Sequence, residues 1–173
     1  MRLDRILFVP VYHPPHKHGR MATYRHRLAM TRLAIQNQTE FELCRAEETR
    51  PGPSYTVDTL RELQSLHPEA MLYLILGSDQ YRDVASWHQP GLLTDLAHIV
   101  VMSRPGERKP PHFPGHNPKR IRFCSIIPVS ISAAAIRARL AKGHSIRYML
   151  PVGVAKYVRR HRPYRSPSTR RTA

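Results

Sequence analysis

The stretch Met71-Leu72-Tyr73-Leu74-Ile75-Leu76-Gly77-Ser78-Asp79 decides the fold. Its unbroken apolar run is too short for a helix and is closed by a glycine, so 71–76 reads as a strand buried on both faces. Such a strand belongs to a parallel sheet covered by helices. Working outward, the same short apolar runs recur at 6–9 and 41–44 upstream, and at 98–102 and 121–127 downstream. Helical periodicity fills the gaps. It places Met30, Leu33 and Ala34 on one face of a helix over 20–37. A second helix, capped by Ser54 or a neighbour, carries Val57, Leu60, Leu63 and Leu66. Two short helices are expected over 79–96, one from Ser132 through Leu140, and one over 151–160. Five prolines make 105–119 a long irregular loop. Strands alternating with helices specify an α/β fold with a mainly parallel sheet. Ligands then bind at the C-terminal ends of the strands, so loops 10–19, 77–79, 103–106 and 128–132 are expected to carry the chemistry.

The chain has 173 residues and 41% apolar content, enough for one domain with a real core. That domain is expected over 1–161, followed by a basic disordered tail over 162–173. The formal net charge is +16, from 28 Lys+Arg against 12 Asp+Glu. Residues 1–107 hold 12 Lys/Arg and all 12 acids, so the excess belongs to the acid-free remainder. Strong basic charge suggests nucleic acid or an acidic surface as a partner. Against nucleic acid, the single Trp and the tyrosines do not interleave with the basic run as a stacking surface would. Cys44 and Cys124 are far apart, which argues against a disulfide framework and for a reducing, cytoplasmic setting. No apolar run approaches the roughly 20 residues of a membrane span.

Several constellations have both a chemical and a structural reading. Ser132 and Arg137 open a helix after a strand, where free N–H groups, a hydroxyl and a forked cation suit phosphate. The same pattern describes a capped surface helix with a solvated arginine. Lys17 follows Pro14-Pro15-His16 on a stiffened loop, where it could hold a phosphate or simply be solvated. His13, His16 and His18 lack the Cys or carboxylate that would complete a metal set, so no metal site is assigned. Gly77 permits close approach of a ligand, and Asp79 could accept hydrogen bonds from it or cap the next helix. Ser54-Tyr55-Thr56 and Trp87-His88 offer an aromatic face and hydroxyls, for a stacked ring or for the core.

In order and spacing, these segments resemble the bacterial nicotinate-nucleotide adenylyltransferases from about residue 3 to residue 161. The resemblance is carried by Leu7-Phe8-Val9-Pro10 with Pro14-Pro15-His16-Lys17, and by Gly52-Pro53-Ser54-Tyr55-Thr56-Val57-Asp58-Thr59-Leu60. It continues through Ile75-Leu76-Gly77-Ser78-Asp79, Trp87, Ala97-His98-Ile99-Val100-Val101, Ser103-Arg104-Pro105-Gly106, Ile131-Ser132 through Arg137, and Ser145-Ile146-Arg147-Tyr148 with Leu150-Pro151. It implies a Rossmann-like doubly wound parallel sheet of the nucleotidylyltransferase type. The implied reaction is transfer of the adenylyl group of ATP to nicotinate mononucleotide, giving deamido-NAD and pyrophosphate, with Mg²⁺ accompanying ATP. By the resemblance, Thr56 and the backbone at Trp87-His88 meet the nicotinate carboxylate, and Trp87 stacks on its ring. Gly77 and Asp79 line the nucleotide site, Lys17 and Arg104 sit near substrate phosphates, and Ser132 and Arg137 hold the ATP phosphates.

Two departures stand beside the resemblance. The family's opening strand, its Gly-Gly-Thr-Phe-Asp-Pro loop and its His-x-Gly-His motif have no counterpart, and Ala134 replaces a usual threonine. No catalytic residue is therefore assigned. The reading expects a start upstream of Met1, a sheet without its first strand and helix, and little activity from the chain by itself. A basic nucleic-acid-binding protein and a non-catalytic nucleotide-binding relative are the alternatives. A homo-oligomer is left open.

Overall fold

The computed structural model describes residues 2–15, 21–127 and 129–164. They fall into two compact units, one from 2–12, 21–45 and 130–164, the other from 13–15, 46–127 and 129.

The second unit is built on three parallel strands, β3 (Tyr73–Gly77), β4 (His98–Ser103) and β5 (Ile121–Ser125), in the order β3-β4-β5. Their middle strand has a neighbour on each side, and its run of apolar residues is hidden on both faces, as a covered parallel strand requires. Ile99 and Val101 are fully buried there. Packed against them are Val57 and Leu60 of α2 (Thr56–Leu66), Tyr81 of α3 (Ser78–Asp83), Val84, and Leu93 of α4 (Leu93–Leu96). Each such side chain contributes about 1.5–3 kcal/mol by leaving water. Turns of 3₁₀ helix at Val84–Ser86 and Pro90–Leu92 connect the short helices.

The first unit holds a separate parallel pair, β1 (Ile6–Phe8) and β2 (Phe41–Leu43), in register Leu7 to Glu42. Its helices are α1 (Tyr24–Ile35), α5 (Ala133–Ala141) and α6 (Val152–His161). Ile136, Ile146, Val154 and Val158 form the core, with Met30 and Leu33 of α1 against them. His26 Nδ1 and the Tyr157 hydroxyl, 2.9 Å apart, tie α1 to α6.

The α/β class with parallel strands agrees with the sequence reading; several details differ. Among the described residues the strands pair as two sheets, β1-β2 and β3-β4-β5. Ala34 is exposed although it lies one turn from Met30, and Ile35 is buried although it lies about 200° round α1 from Leu33, away from the face that packs on this core. Leu66 is 64% exposed at the end of α2, and Thr59 is buried instead. The Thr59 hydroxyl donates to Glu47 (3.0 Å) and accepts from Arg50 (3.1 Å), so a polar residue off the expected apolar stripe is accommodated in the interior.

Strand bounds also move: β3 starts and ends later than expected, and β5 stops at Ser125. The proline-rich stretch carries Phe113 into the core at 4% exposure, edge-on to Tyr81. Bonds from Asn117 N–H to the Thr94 hydroxyl and from Arg120 to the carbonyls of Thr94 and Asp95 hold its end. Tyr164, read as part of the tail, packs on the first unit's core; 165–173 lie outside the described residues. Neither cysteine is paired in a disulfide among the described residues, and no helix of those residues is long and apolar enough to cross a membrane.

Candidate active site

In the second unit, neighbouring strand ends bring the expected residues together. β3 closes on Gly77, whose extended backbone caps α3. A Cβ on Gly77 would lie 2.5 Å from an Asp79 carboxylate oxygen, so the glycine is needed to let that side chain fold back over the strand end. Asp79 is the second residue of α3, not its cap, and among the described residues its carboxylate has no hydrogen-bond partner. It is an exposed acceptor beside the first turn of α3.

One strand over, β4 ends at Ser103 and the chain turns through Arg104-Pro105-Gly106-Glu107. Pro105 presets the first corner, and Gly106 takes a φ of +78° at the second, as a type II turn demands. The Glu107 N–H donates to the Arg104 carbonyl at 3.1 Å and closes the turn. The Glu107 carboxylate then accepts from the Ser78 hydroxyl (2.7 Å), the Arg82 guanidinium (2.5 Å) and the Arg104 N–H (3.2 Å). Arg82, then Ser78, then the Arg104 N–H hold its carboxyl down at about 2, well below the ordinary glutamate value. The Arg104 side chain is left exposed beside this cluster, with no ion pair among the described residues.

A second group lies at the start of α2. Its N-cap is Tyr55, with no side-chain cap, and Thr56 is the first helical residue. Ser54 does not cap it. Its hydroxyl accepts from the His13 N–H (2.9 Å) while its own N–H donates to the His13 carbonyl (2.8 Å). The segment after β1's loop is thereby held against the start of α2. The Tyr55 ring stacks on His88 at 4.2 Å and 26°. Trp87 is half-buried, packed on the same core cluster as Tyr55. Gln89 takes a left-handed φ of 49° and accepts from Arg61 of α2 at 2.9 Å, which fixes this turn beside the helix. Tyr55, Thr56, Trp87 and His88 thus form one aromatic and hydroxyl-bearing edge.

Ser132 and Arg137 belong to the first unit. Ser132 caps α5, its hydroxyl accepting from the Ala135 N–H at 3.1 Å. Arg137 is exposed on the same helix, as is Ala134. The local geometry fits both the phosphate reading and a capped surface helix. Lys17, with His16 and His18, lies outside the described residues. The first unit also has a wide groove of about 1320 Å³ lined by Lys142, His144, Arg147, Lys156, Arg159 and Arg162 among others; among the described residues, none of the expected site residues lines it.

Sequence reasoning missed Ser78, Arg82 and Glu107. The Pro-Gly pair signalled the turn, but only the fold shows that Glu107 reaches back across it to the next strand's helix.

Residues 1–147 match the model of the cytidylyltransferase-like family. A relative from Thermomicrobium roseum, named a probable nicotinate-nucleotide adenylyltransferase, is 39% identical over 171 residues, covering 96% of this chain and 80% of the relative. One of the same name from Thermus thermophilus is 42% identical over 167 residues, covering 94% and 84%. Among solved structures, the Plasmodium falciparum nicotinic acid mononucleotide adenylyltransferase complexed with NaAD superposes with a TM-score of 0.73 at 21% identity, over 94% of this chain and 83% of that one. The same enzyme complexed with APC gives a TM-score of 0.70 at 20% identity. These two likenesses are likenesses of fold: a Rossmann-like α/β arrangement. The chain belongs to the cytidylyltransferase-like family and, within it, to the nicotinate-nucleotide adenylyltransferases.

Proposed function

We propose that the protein transfers the adenylyl group of ATP to nicotinate mononucleotide, forming deamido-NAD and pyrophosphate. The observation that carries this reading is family membership across nearly the whole chain, at about 40% identity to relatives of that name. It favours an active member over an inactive relative or a basic nucleic-acid-binding protein. The geometry adds that the residues singled out at the ends of β3 and β4 and at the start of α2 are present and accessible.

The reaction asks little covalent chemistry of the chain. A phosphate monoester is mostly dianionic at neutral pH, its second pKa being near 6, so the mononucleotide phosphate is already a nucleophile. Its oxygen attacks the α-phosphorus of ATP in line; one P–O bond forms as the bond to pyrophosphate breaks. The chain supplies position and positive charge. Thr56 and the backbone at Trp87-His88 would receive the nicotinate carboxylate, with the Trp87 ring against the pyridine. Asp79, folded over Gly77, would accept from the nucleotide, and Lys17 and Arg104 would meet substrate phosphates. Ser132 and Arg137 would hold the ATP phosphates.

Among the described residues no three His, Cys, Asp or Glu side chains gather as a metal-holding group. Mg²⁺ would arrive with ATP and neutralise phosphate charge. A cytoplasmic setting goes with soluble substrates of this kind.

Trp87 is the only tryptophan, so intrinsic fluorescence reports on this one position. Titration with nicotinate mononucleotide is expected to quench it in a saturable way, and Thr56→Val to weaken that binding about tenfold, the value of one lost hydrogen bond to a charged group. An unchanged emission together with no calorimetric binding would contradict the reading.

A further inference from the structure

Three donors from two strand ends converge on one carboxylate. Ser78 and Arg82 sit on α3, directly after β3; Arg104 N–H lies in the turn after β4. Glu107 accepts from all three, at 2.7, 2.5 and 3.2 Å. Its side chain is 24% exposed, so the cluster is partly shielded and borders the accessible face that carries Arg104 and Asp79. Pairing of β3 with β4 ends with Gly77 opposite Met102, just short of the α3 start and the Arg104 turn. Past that point, the described cross-links between those two segments run through Glu107.

We propose that Glu107 is a positioning residue: it fastens the Arg104 turn to the first turn of α3, so that the Arg104 guanidinium and the Asp79 carboxylate are held at a fixed separation for substrate. The proposal rests on the adenylyltransferase reading for the identity of that substrate, but not for the mechanical link. Glu107 itself touches no substrate. Its carboxyl, held near 2, stays ionised throughout the neutral range, so the link is permanent and not a pH switch.

The test compares wild type, Glu107→Ala and Glu107→Asp, each alone and with Arg104→Ala. Calorimetric affinity for nicotinate mononucleotide, kcat/KM, and amide hydrogen exchange at residues 78–79 and 104 are read together. Glu107→Ala is expected to weaken affinity and lower kcat/KM by about 10–100-fold, the range for misplacing a binding group by about 1 Å. Glu107→Asp should recover part of the loss. In the Arg104→Ala background, Glu107→Ala should cost much less, because the group it positions is gone. Exchange at 78–79 and 104 should rise in Glu107→Ala. Full additivity with Arg104→Ala, or a loss of thermal stability with affinity unchanged, would overturn the proposal. If the wild type binds no mononucleotide, the substrate reading falls. Exchange then decides the mechanical link: unchanged protection in Glu107→Ala would overturn it as well.

Discussion

Gly77 shows how one missing atom sets a site. Its backbone is extended, so no special φ demands glycine; the constraint is the Asp79 oxygen 2.5 Å from where a Cβ would be. Gly77→Ala is therefore expected to displace that carboxylate while costing the fold little, since the obstacle is an exposed side-chain end. Affinity for the nucleotide substrates should drop about tenfold or more, with the thermal midpoint nearly unchanged; titration calorimetry beside thermal unfolding checks both. The Gly-Ser-Asp signal was legible because a glycine closing an apolar run has few other uses. Trp87 and Thr56 were legible from the resemblance, whereas the Tyr55–His88 stack that joins their segments comes from tertiary packing. Glu107 was not legible: two of its partners lie 25 and 29 residues away, and no local pattern announces such a convergence.

At the scale of elements, periodicity found the helices and strands but misjudged faces and ends. Leu66 obeys the helical repeat of α2 yet stands 64% exposed, because the chain leaves the core before that last turn. Thr59 breaks the repeat yet is buried, because Glu47 and Arg50 arrive from the preceding loop to bond it. The proline-rich stretch was readable as irregular; that it delivers Phe113 to the core was not, since prolines conceal any periodicity. Leu93 heads a helix of only four residues but is fully buried between the strands and α2. Leu93→Ala is expected to cost about 2–5 kcal/mol, the range for truncating a buried leucine, measured by denaturant unfolding with an unchanged m-value.

For the whole molecule, the charge of +16 divides from the site. Much of the predicted substrate edge lies in residues 1–107, where acids and bases balance, while Lys142, Arg147, Lys156, Arg159 and Arg162 gather along the groove of the first unit. Acid stability is set by more local terms. Glu107 has a folded pKa below its unfolded value of about 4.5, so its stabilisation is complete above that value and is lost as the pH falls toward about 2. Glu107→Gln should consequently lose less stability than wild type between about pH 5 and pH 2, in parallel denaturant titrations.

The bond made between the mononucleotide phosphate and the α-phosphorus of ATP defines the enzyme. Incubating the 173-residue chain with ATP, Mg²⁺ and nicotinate mononucleotide, and separating the products by chromatography, tests it most directly. The predicted result is deamido-NAD and pyrophosphate in equal amounts, dependent on both substrates. Release of pyrophosphate without deamido-NAD, or no product at substrate concentrations that saturate Trp87 quenching, would contradict it.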